Sequence, residues 1–140
     1  MTPIALPMAA FLGAGAAFHF YWGFGGRAGL RVAVPERLDG TPLMVPSRAA
    51  TLGVAAALSL ILAVLIVYVA GWTFGLPRGV WRIAMAMLGA IFLARGLSWH
   101  PYFGLFKRVR TTEFARNDTW LYSPGCVVTG IGFLWLAWAG

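Results

Sequence analysis

Between Arg48 and Arg78 the chain carries no charged residue and no histidine. A helix rises 1.5 Å per residue, so about 20 apolar residues suffice to cross a hydrocarbon layer ~30 Å thick. Three further stretches reach that length, and the predicted spans run over about 5–25, 50–76, 79–99 and 119–139. One such stretch is compatible with the buried helix of a large soluble protein. Four of them within 140 residues leave no polar shell to bury them, since 60% of the chain is hydrophobic and only 11% charged, against about 25% charged in an average soluble protein. The apolar pattern is continuous rather than alternating, which argues against a closed β-barrel. The expected fold class is therefore all-α: a polytopic membrane four-helix bundle forming one domain over residues 1–140.

The formal charge of +7 would suit a nucleic-acid partner if it were clustered on a polar face. Instead the cations sit at the ends of the apolar stretches, where they set orientation and meet phospholipid. Membrane lipids, anionic ones above all, are thus the expected partners, and nucleic acid is not. The loop between the first two spans holds Arg27, Arg31, Arg37 and Arg48, and the loop between the last two holds Lys107, Arg108, Arg110 and Arg116. Only Arg78 and Arg82 lie on the other side. The positive-inside bias places loops 26–48 and 100–117 in the cytoplasm and both termini outside, in a multi-pass protein of the bacterial inner membrane. The N-terminus has no Lys or Arg, so the first span does not resemble a cleavable signal peptide. Cys126 is the sole cysteine, which excludes an internal disulfide and a thiolate metal cluster.

Within the second basic loop, Tyr102, Leu105, Phe106 and Val109 recur at helical spacing, while Lys107, Arg108 and Arg110 lie off that stripe. The spacing predicts a short interfacial helix between the third and fourth spans, with the three cations on lipid phosphates. An irregular loop packed on the bundle is the alternative.

Two segments resemble a known family. One is His19-Phe-Tyr-Trp-Gly-Phe-Gly-Gly26. The other runs from Arg95 to Pro124, opening Arg-Gly-Leu-Ser-Trp-His-Pro-Tyr and closing Asn-Asp-Thr-Trp-Leu-Tyr-Ser-Pro. Together with the Val45-Pro-Ser47 lead-in to the second span, they are similar to a set of bacterial four-span inner-membrane proteins catalogued as a domain of unknown function. The resemblance covers nearly the whole chain. It implies the four-span architecture and no activity.

Ionisable residues inside a membrane are candidate functional residues, because they are costly there. Arg82 and Arg95 lie thirteen positions apart, or about 20 Å along a helix, so both cannot rest outside the hydrocarbon without reaching. Arg82 has a snorkelling account near the outer surface. Arg95, beside the small Gly96, is expected to point inward. Its expected partner is Asp118, at matching depth; Asp118 also suits the N-cap of the last helix, and one carboxylate serves both roles. Asp118, Tyr122, Gly125, Thr129 and Gly132 then form one small, hydroxylated helix face, and Pro124 is expected to bend the helix. On the first span, His19 lies between Gly15 and Gly23 at four-residue spacing. It reads as a packed, hydrogen-bonded imidazole, as a polar ligand contact, or as a metal or haem ligand. Haem through His19 and His100 is not expected, because His100 sits at the interface before Pro101 while His19 lies deeper. No metal or other cofactor is expected.

The candidate ligand-binding cluster is therefore His19, Trp22, Arg95, Asp118 and Tyr122. Three functions are compatible with it. The first is a non-catalytic module that binds a lipid or small amphiphile, or an accessory subunit beside larger membrane proteins or further copies of itself. The second is an enzyme acting on a lipid-soluble substrate, with His19 as acid or base and Arg95 as anion clamp. The third is a small transporter. No recognisable catalytic motif decides among them.

Overall fold

The computed structural model describes residues 3–140. Four long helices account for most of them. Helix α1 (Ala5–Gly23) is followed by a short α2 (Leu30–Ala33), α3 (Arg48–Val69), α4 (Arg78–Gly96), α5 (Glu113–Asn117) and α6 (Ser123–Ala139). A π-helical turn, Asp118–Tyr122, joins α5 to α6, so Glu113–Ala139 is one continuous helix of 27 residues. The described residues contain no β-strand, only an isolated antiparallel bridge between Glu36 and Pro42.

Helices α3, α4 and Glu113–Ala139 are long and apolar enough to cross a membrane. Helix α1 equals α4 in length at 19 residues, but Pro7, His19, Tyr21 and Trp22 dilute its apolarity. The surface is as oily as the interior. Leu60, Ile83 and Ile91 are 66%, 63% and 59% exposed, which a chain facing water would avoid at such density and a membrane protein would not.

Helix α1 packs on α3 and α4 packs on α6, with α1 also touching α6. Met8, Leu12, Leu65, Met85, Phe92 and Phe133 form the shared core. Glycines set the α4–α6 distance. A Cβ on Gly89 would lie 3.0 Å from the Gly130 carbonyl oxygen, and one on Gly130 equally close to that of Gly89; the backbones touch because neither residue has a side chain. At the end remote from the basic loops, Arg82 Nε donates to Ala137 O at 2.9 Å. There Tyr68 also donates its hydroxyl to Leu136 O at 2.9 Å. Arg82 thus serves a carbonyl at the end of α6, and Tyr68 adds a second donor to Leu136 O, which Gly140 N–H also reaches at 3.1 Å.

Element boundaries depart from those expected in two places. Helix α3 stops at Val69 rather than near residue 76, because Gly71 N–H turns back to Tyr68 O and Trp72 N–H to Val67 O, both at 3.1 Å. The last helix begins at Glu113 rather than near residue 119, since Thr112 Oγ1 accepts from Ala115 N–H at 3.1 Å and caps it there. Asp118 is therefore inside the helix and is not its N-cap.

The interfacial helix expected over Tyr102–Val109 does not form. Gly104 adopts φ +93°, a left-handed conformation that interrupts a right-handed helix, and any Cβ there would overlap the Ser98 carbonyl. The segment folds back on the end of α4 instead. Leu105 N–H donates to Gly96 O at 2.8 Å, and Arg108 and Val109 both donate to Pro101 O at 3.0 and 2.9 Å.

Candidate functional site

The fold-back of residues 97–112 delivers a lysine to a buried carboxylate. Asp118 is fully buried. Its Oδ1 accepts from Arg95 Nη2 at 2.8 Å. Its Oδ2 lies 3.1 Å from Lys107 Nζ and accepts from Gly104 N–H at 2.9 Å. The Lys107 side chain is 0% exposed. Besides this ion pair it donates to Gly104 O at 3.1 Å and to Thr119 Oγ1 at 2.6 Å. Thr119 in turn donates to Ala115 O at 2.9 Å.

Lys107 was expected on lipid phosphates, and the structure corrects that. Inside the protein the ammonium meets a carboxylate, a carbonyl and a hydroxyl, which offset its desolvation, and Gly104 supplies the tight turn that brings it inward. Arg108 and Arg110 are exposed. Arg110 is nonetheless engaged with its own loop, donating to Lys107 O and Leu105 O at 3.2 Å each.

Arg95 is the open edge of the cluster. Its side chain is 34% exposed; its Nη1 reaches Ser123 Oγ at 3.4 Å, and its Cζ lies 5.0 Å above the Phe103 ring, a cation–π distance. Gly96 admits α6 beside it, since a Cβ there would come 2.9 Å from Ser123 O. Arg95 and Lys107 together exceed Asp118 by one positive charge. The cluster is polar, and open only at Arg95.

The π turn explains both this geometry and a misjudged helix face. Ser123 N–H donates to Asp118 O, five residues back. Pro124 cannot donate, and its ring crowds the carbonyl of Trp120; a wider turn relieves that clash. Such a turn adds the equivalent of one residue and rotates the remainder of the helix by about 100°. Hence Asp118 faces α4, whereas a Cβ on Gly125 or Gly132 would strike Phe11 or Met8 of α1. Tyr122 turns to the other basic loop, donating its hydroxyl to Val32 O at 3.2 Å. Thr129 Oγ1 is buried without a hydrogen-bond partner.

The five residues expected to converge fall into three groups. Arg95 and Asp118 are joined. Tyr122 follows Asp118 in the chain but bonds elsewhere. His19 and Trp22 share no hydrogen bond or ring contact with any of the other three. His19 Nδ1 donates to Gly15 O at 2.7 Å, and its ring meets Trp22 edge-on at 5.3 Å. Trp22 Nε1 donates to Ala28 O at 2.8 Å and lines a cleft of about 280 Å³ with Arg48 and Thr51. Lys107, Gly104, Thr119 and Ser123 belong to the cluster and were missed as its members. The one available signal was chemical: a carboxylate buried in a span needs more than one donor.

No group of three or more His, Cys, Asp or Glu residues capable of holding a metal occurs among the described residues. His100 stacks on Phe103 with centroids 4.0 Å apart and has no hydrogen bond or ring contact with His19. No curated protein and no solved structure matches this chain. Residues 12–133 match the family described as Protein of unknown function (DUF3995), and the chain belongs to that family.

Proposed function

We propose that this chain is a four-span, non-catalytic integral membrane protein whose basic loop side holds phosphate-bearing amphiphiles of the membrane. Helix α1 is taken as the fourth span, because its 19 residues give about 28 Å of helical rise. One observation carries the proposal. Both basic loops emerge at one end of the molecule, where α2 packs on α5 and Tyr122 bonds Val32 O. Seven of the eleven Lys and Arg residues are thereby exposed on one side, Lys107 being buried, as anionic lipid head groups would favour.

An enzyme using His19 and Arg95 together has less support. His19 commits Nδ1 to Gly15 O, Arg95 commits itself to Asp118, and the two share no contact. Association with larger membrane proteins is compatible with the oily exterior of α3.

Native mass spectrometry of gently extracted full-length protein tests the proposal. Retained phospholipid, together with a topology reporter placing residues 24–47 and 97–112 on the same face, is the expected result. A protein that emerges free of lipid, or whose two loops report from opposite faces, overturns it.

A further inference from the structure

Two adjoining clefts open on the loop side, away from the Arg95–Asp118 cluster. The first, about 280 Å³, is lined by Trp22, Phe24, Leu30 and Val45, with Arg48 and Thr51 as its polar wall. The second, about 350 Å³, shares Leu30, Val45 and Pro46 with the first and adds Met44 and the charged trio Arg27, Arg31 and Glu36. Each is near the small end of ligand-sized clefts, and joined they are well within that range. They lie where α1 ends and α3 begins, the level of a head group in a four-span arrangement.

Glu36 is the anomaly. Its side chain is only 12% exposed, yet its one cation is Arg31 Nε at 3.8 Å, on a side chain that is itself 80% exposed. Among the described residues the carboxylate receives no hydrogen bond, and its oxygens are not sealed off, since Thr129 Oγ1 is the one buried side-chain polar atom without a partner among them, so a donor entering the cleft can reach Glu36. A turn holds it in place. Leu43 N–H donates to Pro35 O at 2.7 Å and Arg37 N–H to Thr41 O at 2.8 Å, one on each side of Glu36. Across the tip, Asp39 accepts from Thr41 N–H at 2.9 Å and from its hydroxyl at 2.6 Å.

We propose that the double cleft receives one aminophospholipid, a membrane lipid whose head group joins a phosphate to a primary ammonium. This rests on the phospholipid-holding reading above and names its ligand. Arg27 and Arg48 take the phosphate, for which the guanidinium fork is suited. Glu36 takes the ammonium, which supplies the donors it lacks. The apolar walls formed by Trp22, Leu30 and Met44 take the start of an acyl chain. A head group with a phosphate and no amine would leave Glu36 unpaired and repelled, so the cleft selects by the penalty on the wrong lipid as much as by attraction to the right one.

The test is lipid competition on the full chain by native mass spectrometry. The probes are phosphatidylethanolamine, its N-trimethylated counterpart phosphatidylcholine, and phosphatidylglycerol, all with the same acyl chains. Phosphatidylethanolamine is expected to be retained about fivefold over the other two, the reach of a single partly exposed ion pair. Glu36→Gln should abolish that preference without reducing retained phosphatidylglycerol, and Arg48→Gln should lower retention of all three. Equal retention of the three lipids by the unmodified protein overturns the inference, as does a preference that survives Glu36→Gln. Because the lipid comparison needs no variant, a misfolded variant does not spoil it. Retention without preference sinks only this inference; no retention at all sinks the underlying reading.

Discussion

The two basic loops look alike in sequence and are opposite in structure. Residues 24–47 keep their cations outside: Arg37 donates to Pro42 O at 3.1 Å within its own turn, and Arg31, 80% exposed, reaches Glu36 only at 3.8 Å. Residues 97–112 carry Lys107 into the protein and seal it against Asp118. The cations are of the same class and each loop joins two long helices. The difference lies in the counter-charge. Asp118 sits inside a helix, turned toward the loop by a π turn, whereas the acids of the first loop, Glu36 and Asp39, belong to the loop itself. A cation goes inward where a fixed anion waits at its depth, and otherwise stays in water or on lipid.

That contrast breaks most visibly at Asp118. Asp118→Ala strands the Lys107 ammonium in low dielectric and is expected to cost about 3–5 kcal/mol. Cys126, buried and the only cysteine, reports it: thiol labelling during thermal unfolding should shift to markedly lower temperature. The matched change in the other loop, Glu36→Ala, should move the same curve by less than about 1 kcal/mol. Equal effects would show that the two loops do not differ as described.

Removing both buried charges sharpens the point. Lys107→Met alone should cost about 2 kcal/mol, less than Asp118→Ala, because Arg95 still neutralises the carboxylate. Lys107→Met combined with Asp118→Leu should be less destabilising than Asp118→Ala by itself, since the fully buried ammonium is then gone and only Arg95, 34% exposed, loses its partner. Strict additivity of the two changes would sink the coupling.

Backbone strain separates the loops more weakly. Gly104→Ala forces a left-handed φ and a collision with the Ser98 carbonyl, for about 1–3 kcal/mol. Gly40, at φ +80° with nothing within 4 Å of an added Cβ, should lose only about 1 kcal/mol as alanine. The smallest effect is one of acidity. The Thr41 hydroxyl, and after it the Thr41 N–H, holds the Asp39 carboxyl below its ordinary value of 3.8. A carboxylate with a lowered folded value stabilises above its unfolded value and loses that contribution as pH falls through the lowered one. Ordering of residues 35–43 should therefore persist at neutral pH and weaken below about pH 4, with Thr41→Val reducing the dependence when the turn is followed by amide exchange.

Much of the architecture was legible because it follows from solvation alone. Long apolar stretches read as helices, and three of the long helices are apolar enough to cross a membrane; the expected partnership of Arg95 with Asp118 came from matching their depths. The site was less legible. His19 and Trp22 were grouped with Arg95 by depth, but depth says nothing of azimuth, and α1 presents both residues elsewhere. The face drawn from Asp118 to Gly132 assumed an unbroken period of 3.6 residues, which the π turn before Pro124 breaks. The stripe from Tyr102 to Val109 has helical spacing, yet Gly104 is needed for a turn, and local spacing carries no record of a carboxylate fourteen residues on.

Apolar length, loop charge and the small residues that allow α4 and α6 to touch are properties of the chain taken one segment at a time, and the sequence by itself determined them. Which cation is buried, which way Asp118 faces, and whether a basic loop closes or leaves a cleft were decided only in the folded molecule. Those outcomes depend on distances between groups that the chain brings together from several elements, and Coulomb attraction in a medium of low dielectric is governed by distance rather than by order along the chain.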